Sequence, residues 1–151
     1  MSVTQRLSIK DVAPEAYQAV YPLQKYVNGS SVDPKLIILI QIRASQLNHC
    51  AWCLDMHAVE ARKAGISQRQ LDLIAAWEEA GDLFDAKEQA VLAFAEQVTM
   101  ISDGVSDEVW DQVNAEFSET EVVQLLMAAS VINVWNRMNV TARTALPDTE
   151  A

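Results

Sequence analysis

The fold class of this chain depends on one segment, whose sequence is Asp33-Pro34-Lys35-Leu36-Ile37-Ile38-Leu39-Ile40-Gln41-Ile42. Asp33 followed by Pro34 is typical of a helix start, with aspartate at the N-cap and proline in the first helical position. The apolar pattern continues through Ala44 and Leu47, which is longer than one buried strand needs. The segment therefore predicts a buried helix over residues 34–47.

The same residues are rich in isoleucine, so a buried strand is the alternative. A strand followed by Cys-x-x-Cys at a helix start would be a thioredoxin-like arrangement. Such a fold places a cis-proline beside its cysteines, whereas no proline occurs here between residues 35 and 146 and no convincing strand follows. We therefore favour the helix and an all-α fold.

Helix signals recur along the rest of the chain, which has only four glycines and four prolines. Capping boxes, in which two side chains satisfy the first free N–H groups of a helix, are predicted at Ser67 with Gln70, Asp85 with Glu88, and Ser118 with Glu121. Gly65 is expected to end the helix that carries the cysteines. Helices are predicted near residues 13–27, 34–47, 50–64, 68–80, 86–101, 107–116 and 119–141. We expect one domain over residues 1–151, with a frayed tail from about residue 146.

The composition narrows the possible partners. The chain has 151 residues and a net charge of −10, which argues against nucleic acid and an anionic membrane surface as partners. The first residues lack the apolar core that a signal peptide contains. The longest apolar run in the sequence is too short to span a bilayer. We therefore expect a cytoplasmic protein. Helices 34–47 and 119–141 are apolar nearly all round, which indicates a central core position or a homo-oligomer interface.

The chemistry is concentrated in His49-Cys50-Ala51-Trp52-Cys53-Leu54-Asp55-Met56-His57, which holds the only two cysteines. On a helix, Cys50 and Cys53 are one turn apart, and Cys53 and His57 are also one turn apart. Two thiols at this spacing can cycle between dithiol and disulfide, and a nearby histidine can move a thiol's proton. In a reducing compartment such a pair is more often catalytic or metal-binding than structural.

Other interpretations of this segment are weaker. A structural zinc site would need four ligands around the metal, and His49, Cys50, Cys53 and His57 are too close in sequence to surround it tetrahedrally. Covalent haem attachment needs a histidine directly after the second cysteine, where Leu54 stands. Two inert buried cysteines are the remaining alternative. We therefore predict no metal and no cofactor.

The motif resembles a known family. Residues Arg43-Ala44-Ser45-Gln46-Leu47-Asn48-His49-Cys50-Ala51-Trp52-Cys53-Leu54-Asp55-Met56-His57 resemble the core motif of the alkylhydroperoxidase D/carboxymuconolactone decarboxylase superfamily. The match continues through Glu60-Ala61-Arg62-Lys63-Ala64-Gly65, and Ile132-Asn133-Val134-Trp135-Asn136-Arg137 resembles a C-terminal motif of one subfamily.

The resemblance implies an all-helical protein that assembles into trimers or hexamers and acts as a peroxidase. By the same resemblance, Cys53 attacks the hydroperoxide, Cys50 resolves the sulfenic acid as a disulfide, and His57 belongs to a proton relay. An external dithiol reductant protein then reduces the disulfide.

The sequence departs from the family pattern in two places. The family carries a glutamate twelve residues before the first cysteine, where this chain has Ile38. Glu60 could substitute in the relay, although a solvated surface role is the simpler expectation for it. His49 precedes Cys50 where small or polar residues are usual. It could help to stabilise a Cys50 thiolate, and we favour the alternative that it caps the helix. Trp52, between the cysteines, is a candidate for the wall of the site.

Three functions remain open at this point. The leading one is an antioxidant thiol peroxidase that uses Cys53, Cys50 and His57. A non-peroxidatic thiol–disulfide oxidoreductase is the alternative that Ile38 suggests. A carboxymuconolactone decarboxylase-like small-molecule enzyme or binding protein is the third, and it would not need the cysteine pair.

Overall fold

The computed structural model describes residues 4–148 and contains helices as its only regular secondary structure in that range. The all-α prediction is therefore confirmed, and the thioredoxin-like alternative is not. The α-helices are α1 (Ile9–Val12), α2 (Pro14–Gln18), α3 (Tyr21–Asn28), α4 (Pro34–Leu47), α5 (Ala51–Lys63), α6 (Gln68–Leu73), α7 (Ala86–Thr99), α8 (Asp107–Glu116) and α9 (Glu119–Ala142). Two 3₁₀ segments, Ile74–Leu83 and Ile101–Asp103, follow α6 and α7.

Helix α4 is the centre of the molecule. It begins as its sequence predicts, because the Asp33 side chain accepts a hydrogen bond from the backbone N–H of Lys35 and Pro34 takes the first helical position. Its side chains at Leu39 and Ile40 are fully buried. It packs against α5, α7 and α9, so most of its circumference faces protein rather than water. Burying apolar side chains at about 25 cal/mol per Å² is what stabilises this arrangement.

The predicted helix ends are largely confirmed. All three capping boxes form, at the starts of α6, α7 and α9. Gly65 follows the last residues of α5 with a φ of 83°, a left-handed conformation that glycine adopts without steric cost.

The structure differs from the prediction in two helices. The helix expected over 13–27 is broken into α2 and α3 around Ala19 and Val20, and the short α1 precedes it. The helix expected over 68–80 continues from α6 as a 3₁₀ segment, with non-helical backbone at Ala76 and Gly81. Local sequence gives weak signals for such breaks, because packing against the core decides them.

Helix α9 is buried on one side only. Its inner face includes Leu125, Ala128 and Ile132, whereas Val123, Leu126 and Val134 are exposed along the opposite face. An exposed apolar stripe of this kind is typical of an interaction surface.

The ends of the chain complete the description. Residues 144–148 have no helix, and the rest of the predicted frayed tail lies outside the described residues, as does the first part of the predicted domain. Within residues 4–148, no helix combines the length and apolarity that crossing a membrane would require.

Candidate active site

A tight turn between α4 and α5 places the cysteines. Asn48 ends α4, His49 has a left-handed backbone with a φ of 54°, and Cys50 is the N-cap of α5. The backbone N–H of Cys50 donates to the carbonyl of Ser45 at 2.9 Å. The prediction that His49 caps the helix is wrong: its side chain is exposed, and the Cys50 sulfur takes that place by accepting from the N–H of Cys53 at 3.4 Å.

Hydrogen bonds between side-chain amides hold this turn against α9. The Asn48 side-chain nitrogen donates to Asn133 Oδ1 at 2.8 Å and to Asn136 Oδ1 at 2.9 Å, both on α9. The Asn136 nitrogen in turn donates to Ser45 Oγ on α4 at 3.0 Å. Because buried polar groups that lose their partners are costly, this network fixes the turn and the position of Cys50.

Cys50 and Cys53 lie at disulfide-bonding distance. Their Cα atoms are 5.4 Å apart, inside the range that natural disulfides span. Each residue is only 1% exposed. The geometry of the pair is therefore consistent with a redox role, and both cysteines are shielded from bulk solvent.

A cavity of about 460 Å³ lies beside one of the two cysteines. Cys53, Trp52 and His57 contribute to its wall, and Cys50 does not. The volume is in the range of small-molecule sites. Trp52, which the sequence suggested as a wall residue, is thus part of the wall of this cavity.

His57 and Glu60 form a pair on α5. His57 is 4% exposed, and its Nδ1 lies 2.7 Å from Glu60 Oε2. The Glu60 side chain is 48% exposed, and it also contributes to the cavity wall. Glu60 is therefore exposed, as the simpler expectation of a solvated helix residue has it, and one of its carboxylate oxygens also contacts the histidine.

The pairing changes the acidity of Glu60. The hydrogen bond with His57 lowers the pKa of the Glu60 carboxyl below its ordinary value of 4.5. Partial burial opposes this shift, and the charges of His57 and Lys63 add to it. Glu60 is therefore an anion at neutral pH.

The position of the missing family glutamate faces the same cavity. Ile38 lies in its wall, and so does the buried Gln41, three residues further along α4. Asp55, the other carboxylate near the cysteines in sequence, is not part of this wall. Glu60 is thus the carboxylate that the structure brings to His57.

Sequence reasoning missed two parts of the site. Asn139 on α9 lies in the cavity wall with its side-chain nitrogen 3.7 Å from the Cys53 sulfur. Tyr17, Tyr21 and Trp135 pack at steep angles to one another and form an aromatic wall, with ring centroids 5.1–5.9 Å apart. The four-residue spacing from Trp135 to Asn139 places both on one side of α9, which was the available signal.

The described part of the chain offers no alternative metal centre. Within residues 4–148, no group of three or more His, Cys, Asp and Glu side chains is arranged to hold a metal ion.

Comparison with known proteins places this chain in a family. Residues 14–97 match the carboxymuconolactone decarboxylase family. The uncharacterized protein YdfG of Bacillus subtilis is 36% identical over 139 residues, which are 91% of this chain and 94% of that protein. This chain therefore belongs to the carboxymuconolactone decarboxylase family, and the predicted resemblance to the alkylhydroperoxidase D/carboxymuconolactone decarboxylase superfamily is confirmed.

Solved structures agree with this assignment. ATU0492 of Agrobacterium tumefaciens, a protein of unknown function named as a candidate AhpD antioxidant defence protein, superposes with a TM-score of 0.92 at 35% identity. The match covers 97% of this chain and all of that one. An AhpD-core, peroxidase-related protein of Ralstonia eutropha has a TM-score of 0.78 at 18% identity, over 92% of this chain and 74% of that one. At that identity the likeness concerns the fold alone.

Proposed function

We propose that this protein is a dithiol-dependent thiol peroxidase in which Cys53 attacks the hydroperoxide and Cys50 resolves the product. The observation that carries the proposal is that Cys53 borders the cavity, together with His57 and Glu60, whereas Cys50 does not. A substrate in this cavity would therefore lie against Cys53 rather than Cys50.

The reaction begins with removal of the Cys53 proton. His57 is one helical turn after Cys53, and Glu60 holds its Nδ1, which leaves Nε2 as the nitrogen that can take the thiol proton. The anionic Glu60 stabilises the imidazolium that results. Other enzyme nucleophiles are activated in the same way, by a base that takes the proton and a third group that orients the base.

The thiolate then attacks the terminal oxygen of the hydroperoxide. The S–O bond forms, the O–O bond breaks, and the alkoxide leaves as an alcohol after taking the proton from His57. Cys53 becomes a sulfenic acid. The Cys50 thiol attacks that sulfur, so the S–S bond forms and water leaves. An external dithiol protein supplies the two electrons that restore both thiols.

The position of Cys50 suits the resolving role. Its sulfur accepts a hydrogen bond from the N–H of Cys53 at the first turn of α5, where the helix N-terminus favours a thiolate. The Cα atoms of Cys50 and Cys53 are 5.4 Å apart, a separation that a disulfide spans, which suits Cys50 as the resolving partner.

The cavity suggests an organic substrate. Aromatic and aliphatic side chains form most of its wall, including Trp135, Ile37 and Met56. A small alkyl or aryl hydroperoxide fills a volume of this size better than hydrogen peroxide does.

We further propose that the protein acts in the cytoplasm as a homo-oligomer, a trimer or hexamer as its resemblance implies. The exposed stripe of Val123, Leu126 and Val134 on α9 is the surface we assign to the contact between copies. We also propose that residues 1–151 form one domain.

The alternative is a thiol–disulfide exchanger without peroxidase activity, and Ile38 favours it. If the relay requires a carboxylate from that position, the dithiol would still cycle but would not activate peroxide. The same fold without thiol chemistry, as a decarboxylase-like enzyme or binding protein, would retain its activity when both cysteines are replaced.

The deciding experiment follows turnover of cumene hydroperoxide with a small dithiol reductant. Wild type should be active, and Cys53→Ser should be inactive. After one equivalent of peroxide, Cys50→Ser should accumulate a sulfenic acid that dimedone traps, whereas Cys53→Ser should not. Trapping in Cys53→Ser instead would reverse the two roles. Absence of turnover in fully reduced wild type would reject the peroxidase and favour the thiol–disulfide exchanger.

A further inference from the structure

Asn139 lies against the sulfur that the proposed reaction uses. Its side-chain nitrogen is 3.7 Å from Cys53 Sγ, a hydrogen-bonding distance for the larger sulfur atom. Asn139 comes from α9, whereas Cys53 is on α5. The contact therefore depends on tertiary packing, and it reaches the sulfur from a different helix than His57 does.

The end of α9 holds the amide in this orientation. Arg143 has a left-handed backbone with a φ of 52°, which turns the chain back on the helix. Thr144 then donates from its N–H to the Asn139 carbonyl at 3.0 Å, and from its hydroxyl to Asn139 Oδ1 at 2.9 Å. With Oδ1 engaged by Thr144, the NH₂ group faces the sulfur.

The N-terminal segment keeps this helix end in place. The backbone N–H of Arg6 donates to the carbonyl of Ala142 at 2.9 Å, and the Arg6 guanidinium donates to the carbonyl of Thr141 at 3.1 Å. These contacts restrain the turn that positions Thr144.

We propose that Asn139 is a catalytic residue that donates a hydrogen bond to the Cys53 thiolate, and that Thr144 is the positioning residue that aims it. The proposal rests on the proposed function only in taking Cys53 as the reacting thiol. A thiolate accepts hydrogen bonds far better than a thiol or a disulfide sulfur does. Asn139 therefore stabilises the reduced, charged form selectively, and it lowers the pKa of Cys53.

Other titratable groups also lie near Cys53. His57 and Glu60 on α5, Tyr17 on α2 and Tyr21 on α3 share the cavity with it, and Cys50 is its bonding partner. Replacing Asn139 leaves all of these unchanged, so a difference between variants isolates the amide.

The test measures the pKa of Cys53 without peroxide. In a Cys50→Ser background, which leaves one thiol, the pH dependence of iodoacetamide alkylation reports that pKa. Asn139→Leu removes the donor at similar size, and we expect the pKa to rise by about one unit. Asn139→Asp faces the sulfur with a carboxylate and should raise it further. Thr144→Val should raise the pKa of Cys53 by less, because the Asn139 amide remains but its NH₂ group is no longer held toward the sulfur.

The matched control is Asn114→Asp, which makes the same change at an exposed asparagine of α8. Circular dichroism identifies any variant that does not fold, and the remaining variants still decide. Folded Asn139 variants that titrate like the control would overturn the proposal. A shifted pKa in a protein without peroxidase turnover would instead refute the peroxidase and leave the role of Asn139 intact.

Discussion

The Nδ1 atom of His57 and the Oε2 atom of Glu60 lie 2.7 Å apart on one face of α5. A carboxylate three residues after the histidine lies on the same face of the same helix and needs no second helix to reach it. It can therefore take over the orienting role that the family pattern gives to a residue on α4, where this chain has Ile38.

Glu60→Gln tests this substitution of roles. We expect kcat/KM for cumene hydroperoxide to fall roughly tenfold, because the variant loses one charge-assisted hydrogen bond to His57. Glu79→Gln, on the exposed surface of the 3₁₀ segment, is the control and should retain wild-type activity. Full activity in Glu60→Gln would exclude Glu60 from the relay.

The same pair makes a pH-dependent contribution to stability. Because the folded pKa of Glu60 is lowered from 4.5, its contribution is fully present above that value and disappears as pH falls through the folded pKa. Denaturant titrations at pH 7 should show Glu60→Gln less stable by about 0.5 kcal/mol, a small value because the carboxylate is half exposed. The difference from wild type should shrink as pH falls below 4.5 and through the folded pKa.

Ile38→Glu restores a carboxylate at the family position. In the Glu60→Gln background we expect it to recover part of the lost peroxidase activity, because Ile38 borders the same cavity as His57. The buried carboxyl should lower the free energy of unfolding by roughly 1–3 kcal/mol. Ile37→Glu is the matched control, since Ile37 borders the cavity and is equally buried. Equal recovery of peroxidase activity by Ile38→Glu and Ile37→Glu would mean that the carboxylate does not have to be at residue 38.

Substrate charge should matter because no lysine or arginine contributes to the described cavity wall. Tyr17 remains a neutral phenol there, since burial raises its pKa above 10.0. Cumene hydroperoxide should be reduced at least about tenfold more efficiently than its 4-carboxylate derivative, whose charge would be buried unpaired. Gln41→Lys should lower the ratio of kcat/KM for cumene hydroperoxide to kcat/KM for the carboxylate derivative. Similar kcat/KM values for both substrates in wild type would indicate that the charged group stays in solvent.

His49 should tolerate glycine but not a β-branched residue. Its φ of 54° is left-handed, and its side chain does not cap α5. We expect His49→Val to lower the free energy of unfolding by about 1 kcal/mol, and His49→Gly to change it by less than about 0.5 kcal/mol. Equal losses in both variants would point to contacts of the imidazole rather than to backbone strain.

The exposed stripe on α9 predicts how copies of the chain associate. Wild type should have a molar mass that is a multiple of 16.7 kDa in light scattering. Val123→Glu with Val134→Glu should shift it to the monomer, because each buries an unpaired charge in the contact. Val12→Glu, at a more exposed valine of α1, should leave the assembly intact. A monomeric wild type would reject this role for the stripe.

The sequence by itself determined the helical class, most helix ends and the dithiol. Asp33 with Pro34 and the capping boxes act through groups within a few residues, so their pattern is visible along the chain. The spacing of Cys50 and Cys53 is fixed in the same way by one turn of α5. Family membership also followed from this local motif.

Only the tertiary structure decided which groups surround the Cys53 sulfur. The cavity, the aromatic wall of Tyr17, Tyr21 and Trp135, and the contact from Asn139 join helices far apart in the chain. The N-cap role of Cys50 likewise depended on the left-handed turn at His49, which the amide network beneath it holds. Such contacts arise from side-chain packing between helices, and the local spacing of residues does not encode them.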